Sequence, residues 1–150
     1  MAKFQYRMQN ILNLKQKMED MSKNQYAIAK AVVDSEDEKL SLLYEKKENY
    51  EMKLRSSVSN QLIIVDIMHA QQAVKTAENH IVTQKQVVER AKTRLEIARS
   101  KMNEAMIERK THDKLKENAF LQFKNEIVQI ENKEVDELVS YKYNKSSEEM

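Results

Sequence analysis

The sequence predicts an all-α protein, two long helices forming an antiparallel coiled-coil hairpin with the C-terminal helix the longer. Three observations carry that expectation. The 150 residues contain no Gly, Pro, Cys or Trp, and charged residues make up 33% of them. Sheet corners and tight turns usually draw on Gly and Pro, so a chain without either is poorly suited to a sandwich, barrel or α/β fold. The apolar share of 41% recurs at helical spacing, which separates the chain from a disordered one of similar charge.

The second helix is the clearer of the two. Ile67, Val74, Ile81, Val88, Leu95 and Met102 repeat every seven residues, with Ile63, Ala70, Ala77, Gln84, Ala91, Ala98 and Ala105 at the other core position. Such a repeat is a coiled-coil seam. Its many alanines admit a close partner backbone and require bulky residues opposite. The N-terminal third offers Ile11, Leu14, Met18, Met21, Ile28 and Val32 in one heptad phase, then Leu40, Leu43, Tyr50 and Leu54 in another. A stutter through Val32, Glu36 and Leu40 is expected to reconcile the two.

Between the helices, Arg55-Ser56-Ser57-Val58-Ser59-Asn60 is a mid-chain cluster of turn-prone polar residues. The expected organisation is a single domain, residues 1–150: helix 4–55, bend 56–60 with Ser59 or Asn60 as N-cap, helix 61–141, and a frayed tail 142–150. At ~1.5 Å per residue the arms are roughly 78 and 120 Å long. A bend near residue 58 puts Phe4 opposite about residue 112 by simple counting, so Phe120, Phe123, Ile127 and Ile130, with Val135, Leu138 and Val139 following, should form an apolar stripe with no partner in the chain; a later bend, or a hinge near Arg109, His112 and Lys116, would instead give it one. Arg109, His112 and Lys116 interrupt the seam before it.

Charge and composition restrict function. The formal net charge is +2 with alternating signs, unlike a basic nucleic-acid footprint. The longest aliphatic run is Leu62-Ile63-Ile64-Val65, far short of the ~20 residues that cross a bilayer. The absence of cysteine excludes thiolate metal sites and fits a reducing, cytoplasmic setting. His69 and His80, eleven residues apart, share one helix face at roughly 16 Å, too far for one metal. His112 beside Asp113 supplies at most half a site. No cofactor is expected. A two-helix rod has no enclosed interior for catalysis, so the chain is expected to be no enzyme and to act by contacting other proteins.

Two stretches carry a family resemblance. Phe4-Gln5-Tyr6-Arg7-Met8-Gln9-Asn10-Ile11-Leu12-Asn13-Leu14-Lys15 resembles the opening of the FliJ family of flagellar export proteins. Glu108-Arg109-Lys110-Thr111-His112-Asp113-Lys114-Leu115-Lys116-Glu117, followed by Glu131 and Asp136-Glu137, is similar to that family's late signature. Members often have Gly at the hairpin, where this chain has Ser59 and Asn60.

The resemblance implies a component of the flagellar type III export apparatus, shaped like the stalk of a rotary ATPase and peripheral at the cytoplasmic face of the cell membrane. Its partners would be the hexameric flagellar export ATPase, the membrane-embedded export gate and export chaperones. Carried onto this chain, Phe4, Arg7, Leu12, Arg109, Lys114, Leu115, Asp136 and Glu137 match positions near the ATPase end, and Leu43 and Tyr50 match the arm presented to the gate. To these the apolar stripe adds Phe120, Phe123 and Ile127 as an insertion element. The alternatives are a coiled-coil scaffold without an ATPase partner and the equivalent stalk of an injectisome.

Overall fold

A computed structural model describes residues 2–59 and 63–148. Two helices account for nearly all of them: α1, Gln9–Ser59, and α2, Ile64–Glu148. They pack against each other as a helical hairpin with the second helix longer, as expected. The boundaries differ from expectation at each end. α1 starts at Gln9 rather than residue 4, and residues 2–6 have no regular structure. The amide of Gln9 bonds to the carbonyl of Tyr6 at 3.1 Å and that of Leu12 to Met8 at 3.0 Å, which closes the first turn.

The residues expected to bend instead continue α1. Arg55 to Ser59 are helical, so Ser59 belongs to α1, and Asn60 lies outside the described residues. Ser and Arg are tolerable helix residues, and with no Gly or Pro here no local signal stops the helix. α2 opens with Asp66 in its first turn, a favourable charge for a helix N-terminus. It runs unbroken through Arg109, His112 and Lys116. It also continues through residues 142–148, where a frayed tail is expected; residues 149 and 150 lie outside the described part.

The chain clusters into two compact units, Asp20–Glu104 and Met1–Glu19 with Ala105–Met150. Within Asp20–Glu104 the core of α2 is the predicted one. Ala77, Ile81, Val88 and Ala91 are buried, and Ile67, Ala70, Val74, Gln84, Leu95, Ala98 and Met102 are half-buried. Ile63 is the exception: it precedes the helix and is 68% exposed. On α1 the inward residues are Ser22, Tyr26, Ala29, Val33, Glu36, Leu40, Leu43, Lys47, Tyr50, Leu54 and Ser57. These alternate strictly in steps of four and three. The supposed stutter is absent, because the Leu40 to Leu54 phase extends backward without a break.

That register turns the expected N-terminal core outward. Met21, Ile28 and Val32 are exposed in this unit, and Ile11, Leu14 and Met18 in the other. The reason lies in what faces them. Gln84 of α2 donates to the carboxylate of Glu36 at 2.6 Å and to its backbone carbonyl at 3.0 Å. Arg99 donates to the Tyr26 hydroxyl at 3.4 Å. The polar seam residue Gln84 is satisfied by the polar seam residue Glu36, and leaving such a pair unmade costs more than exposing a few aliphatic side chains.

In the unit of Met1–Glu19 with Ala105–Met150, Leu12 is the fully buried side chain, at 2% exposure. Phe4 packs on Phe120 and Phe123, with ring centroids 5.2 and 5.4 Å apart. Phe4 thus meets α2 well beyond residue 112, since α1 runs on to Ser59 and α2 starts only at Ile64. Phe120 and Phe123 therefore have a partner in the chain, contrary to expectation. The uncovered part of α2 begins after Ile127: residues 128–148 are exposed throughout.

Candidate functional site

The residues matched to the ATPase end fall into three physical classes. Phe4, Phe120 and Phe123 hold the N-terminal segment and α2 together, and Leu12 and Ile127 are further apolar side chains shielded from solvent in the same unit. Leu12 is core, Phe4, Phe123 and Ile127 are half-buried, and Phe120 keeps 38% exposure. The Lys124 ammonium lies 4.8 Å from the Phe120 ring centroid, a cation over an aromatic face at the rim of this cluster. Arg7, Lys114, Leu115, Asp136 and Glu137 are exposed. Lys114 is 3.6 Å from Glu117 on the same helix, and Leu115 is 46% exposed.

Arg109 forms the third class. Its guanidinium donates to Glu19 of α1 through Nε and, at 3.5 Å, through Nη2, and to Asp113 at 2.6 Å through Nη1. These bonds, led by that to Glu19, raise the Arg109 pKa further above its ordinary range. Glu19 is 4% exposed, a buried carboxylate that apolar periodicity passes over. It was nonetheless legible, since it stands seven residues from both Leu12 and Tyr26 and hence in the same register.

One turn away, Lys15 pairs with Glu108 at 2.8 Å, and that hydrogen bond holds the Glu108 carboxyl below its usual 4.5. Of the residues that interrupt the seam in the sequence, Arg109 thus makes a cross-helix charge pair, and Lys15 with Glu108 makes a second beside it. Tyr6 Oη and His112 Nδ1 are buried here without hydrogen-bond partners, and the sequence offered no signal for the first.

Leu43 and Tyr50, assigned to the gate arm, are half-buried and line one cleft of about 350 Å³ in the Asp20–Glu104 unit. Lys46, His69, Gln72, Ala73, Thr76, Ala77 and His80 complete its walls. The Lys46 ammonium stands 5.9 Å from the Tyr50 ring. Facing alanines create this cleft, because Ala73 and Ala77 leave space beside the larger Leu43 and Tyr50. The two histidines, too widely spaced for a shared metal by helix geometry, border the same opening.

Among the described residues no cluster of His, Cys, Asp and Glu suits a metal ion, and no helix is long and apolar enough to cross a membrane. The arrangement offers surfaces for recognition: an aromatic cluster with cross-helix charge pairs, an exposed helix of mixed apolar and acidic character, and a small-residue cleft flanked by histidines.

Comparison with known proteins agrees with the motifs. The family described as Flagellar FliJ protein matches residues 4–148. The Flagellar FliJ protein of Bacillus subtilis (strain 168) is 30% identical over 139 residues, covering 90% of this chain and 92% of its own. No solved structure matches. With the match spanning both helices and both motif regions, the chain belongs to the flagellar FliJ family.

Proposed function

We propose that this flagellar export component acts as a non-enzymatic stalk, inserting the exposed end of α2 into the ring of the hexameric export ATPase and promoting its assembly and activity. The observation that carries the reading is residues 128–148, a helix whose Val128, Ile130, Val135, Leu138 and Val139 are 52 to 62% exposed. Glu131, Glu134, Asp136 and Glu137 intersperse them. Apolar side chains left uncovered on a helix call for a partner. The acidic residues among them let contact with a ring remain reversible.

Phe4, Leu12, Phe120 and Phe123 brace the base of this helix rather than enter the ring. Arg7, Lys114 and Leu115 are exposed and available to the ATPase, whereas Arg109 orders the seam beneath them. The cleft at Leu43 and Tyr50 is the surface for the export gate. Export chaperones are further partners, and the chain works at the cytoplasmic face of the membrane.

The test is ATPase activity and light scattering of the cognate export ATPase with this protein added. Stimulation with ring assembly is expected, and Leu138→Glu should abolish it without lowering helicity by circular dichroism. Phe123→Glu is an unsuitable probe, since it breaks the contact with Phe4. Stimulation by the Leu138→Glu variant equal to that of the parent would overturn the assignment.

A further inference from the structure

The Asp20–Glu104 unit carries a second apolar face on α1. Met21, Ile28 and Val32 each stand one position before a seam residue, Ser22, Ala29 and Val33, and so lie about 100° around the helix from it. They are 61%, 65% and 42% exposed. Ile28 and Val32, with Gln25, Ala29, Ala91 and Arg94, line a groove of about 250 Å³ between the two helices.

On α2 the groove is lined by Ala91 and Arg94, and Arg94 belongs to a basic stripe that runs on beyond it. Arg90, Arg94, Ile97 and Lys101 follow one another at steps of four, three and four, which places them on one stripe of the helix. None of the three cations has an ion-pair partner among the described residues. Ile97 is 52% exposed between them. The stripe ends at Glu104, the next step of three.

We propose that this groove receives a third helix, supplied by another protein, apolar along one face and acidic at its margin. Exposed apolar residues that repeat with the seven-residue period of the seam are what a packed helix needs, since its knobs meet holes at that spacing. A membrane surface would need a broad apolar face instead of this narrow one. The three unpaired cations set the sign of the partner's margin. A second copy of this chain, docked by the same face, would bring Arg90, Arg94 and Lys101 against their own kind. The groove belongs to the Asp20–Glu104 unit and the α2 end assigned to the ATPase to the other unit, so each is tested by its own substitutions.

The experiment uses the full chain and a labelled, designed three-heptad peptide with leucine at its core positions and glutamate beside them. A matched peptide carries lysine at every glutamate. Fluorescence anisotropy should show saturable binding of the glutamate peptide alone, weakened by added salt. Methyl signals of Ile28, Val32 and Ile97 should shift on binding. Ile28→Glu should weaken it at least about tenfold with an unchanged thermal melt. Arg94→Glu should weaken the glutamate peptide and admit the lysine peptide.

Equal binding of both peptides, or binding indifferent to Ile28→Glu, would overturn the proposal. So would dimerisation of the free chain that Ile28→Glu abolishes. Sedimentation with phosphatidylserine vesicles through Ile28, with neither peptide bound, would replace the helix by a membrane.

Discussion

Val32 and Val33 are adjacent, chemically identical and placed on different faces of α1, at 42% and 7% exposure. Replacing each with alanine therefore tests which face meets α2. The substitution removes two methylene equivalents, worth ~0.8 kcal/mol each when fully buried. At 7% exposure nearly all of that, ~1.5 kcal/mol, is lost at Val33, and the cavity left at this buried site adds about 0.5. At Val32 roughly 0.9 kcal/mol is at stake, with little cavity because the site opens to solvent. Alanine returns about 0.6 kcal/mol of helix propensity in both cases.

The expected net destabilisation is thus about 1.4 kcal/mol for Val33→Ala and about 0.3 for Val32→Ala. Urea unfolding followed by circular dichroism at 222 nm resolves that difference through the two midpoints, provided the slopes stay equal. The reasoning fails if Val32→Ala proves as destabilising as Val33→Ala, for then the stripe of Ile28 and Val32 faces the seam.

Phe4→Ala should free residues 2–8 from α2, with loss of two aromatic contacts worth ~0.5 to 1.5 kcal/mol each; faster amide exchange in that segment alone is the readout. Arg109→Ala should lower the unfolding midpoint more than Lys114→Ala, because Glu19 is buried against the first residue and nothing comparable surrounds the second. Stability should fall as pH drops below about 4.5. The Glu36 carboxyl is held below that value chiefly by its hydrogen bond from Gln84, then by Lys39, and Glu108 by Lys15. A carboxyl depressed in the folded state binds fewer protons there than in the unfolded chain, so its contribution is present above about pH 4.5 and lost through the folded pKa. Gln84→Leu should shrink that acid dependence, measured as the urea midpoint at pH 5 and pH 3.5.

The seam of α2 was legible because its branched residues and alanines repeat without a competitor. The seam of α1 was not. Two heptad stripes run along its first half, one position apart, and the more apolar one, with Ile11, Leu14, Met18, Met21, Ile28 and Val32, faces out. Counting apolar residues favours the wrong stripe wherever the true seam contains Lys15, Glu19, Ser22 and Glu36. The misplaced stutter followed from joining the outward stripe to the inward phase at Leu40. The site suffered likewise: motif matching singled out Arg109 and the apolar stripe singled out Phe120, while the pairing of Glu19 with Arg109 and of Phe4 with Phe120 and Phe123 depends on what lies opposite.

By itself the sequence determined the helical class, the hairpin, the unequal arms, the α2 seam and the family, because each depends on periodicity, composition or motifs within one stretch of chain. Only the tertiary structure decided the α1 face, the residues opposite Phe4 and where the uncovered helix begins. Those depend on pairing between residues some ninety to a hundred and twenty positions apart, where Arg109 must meet Glu19 and Phe120 must meet Phe4. A buried charge without its partner costs more than an exposed isoleucine, and no property of either segment alone contains that comparison.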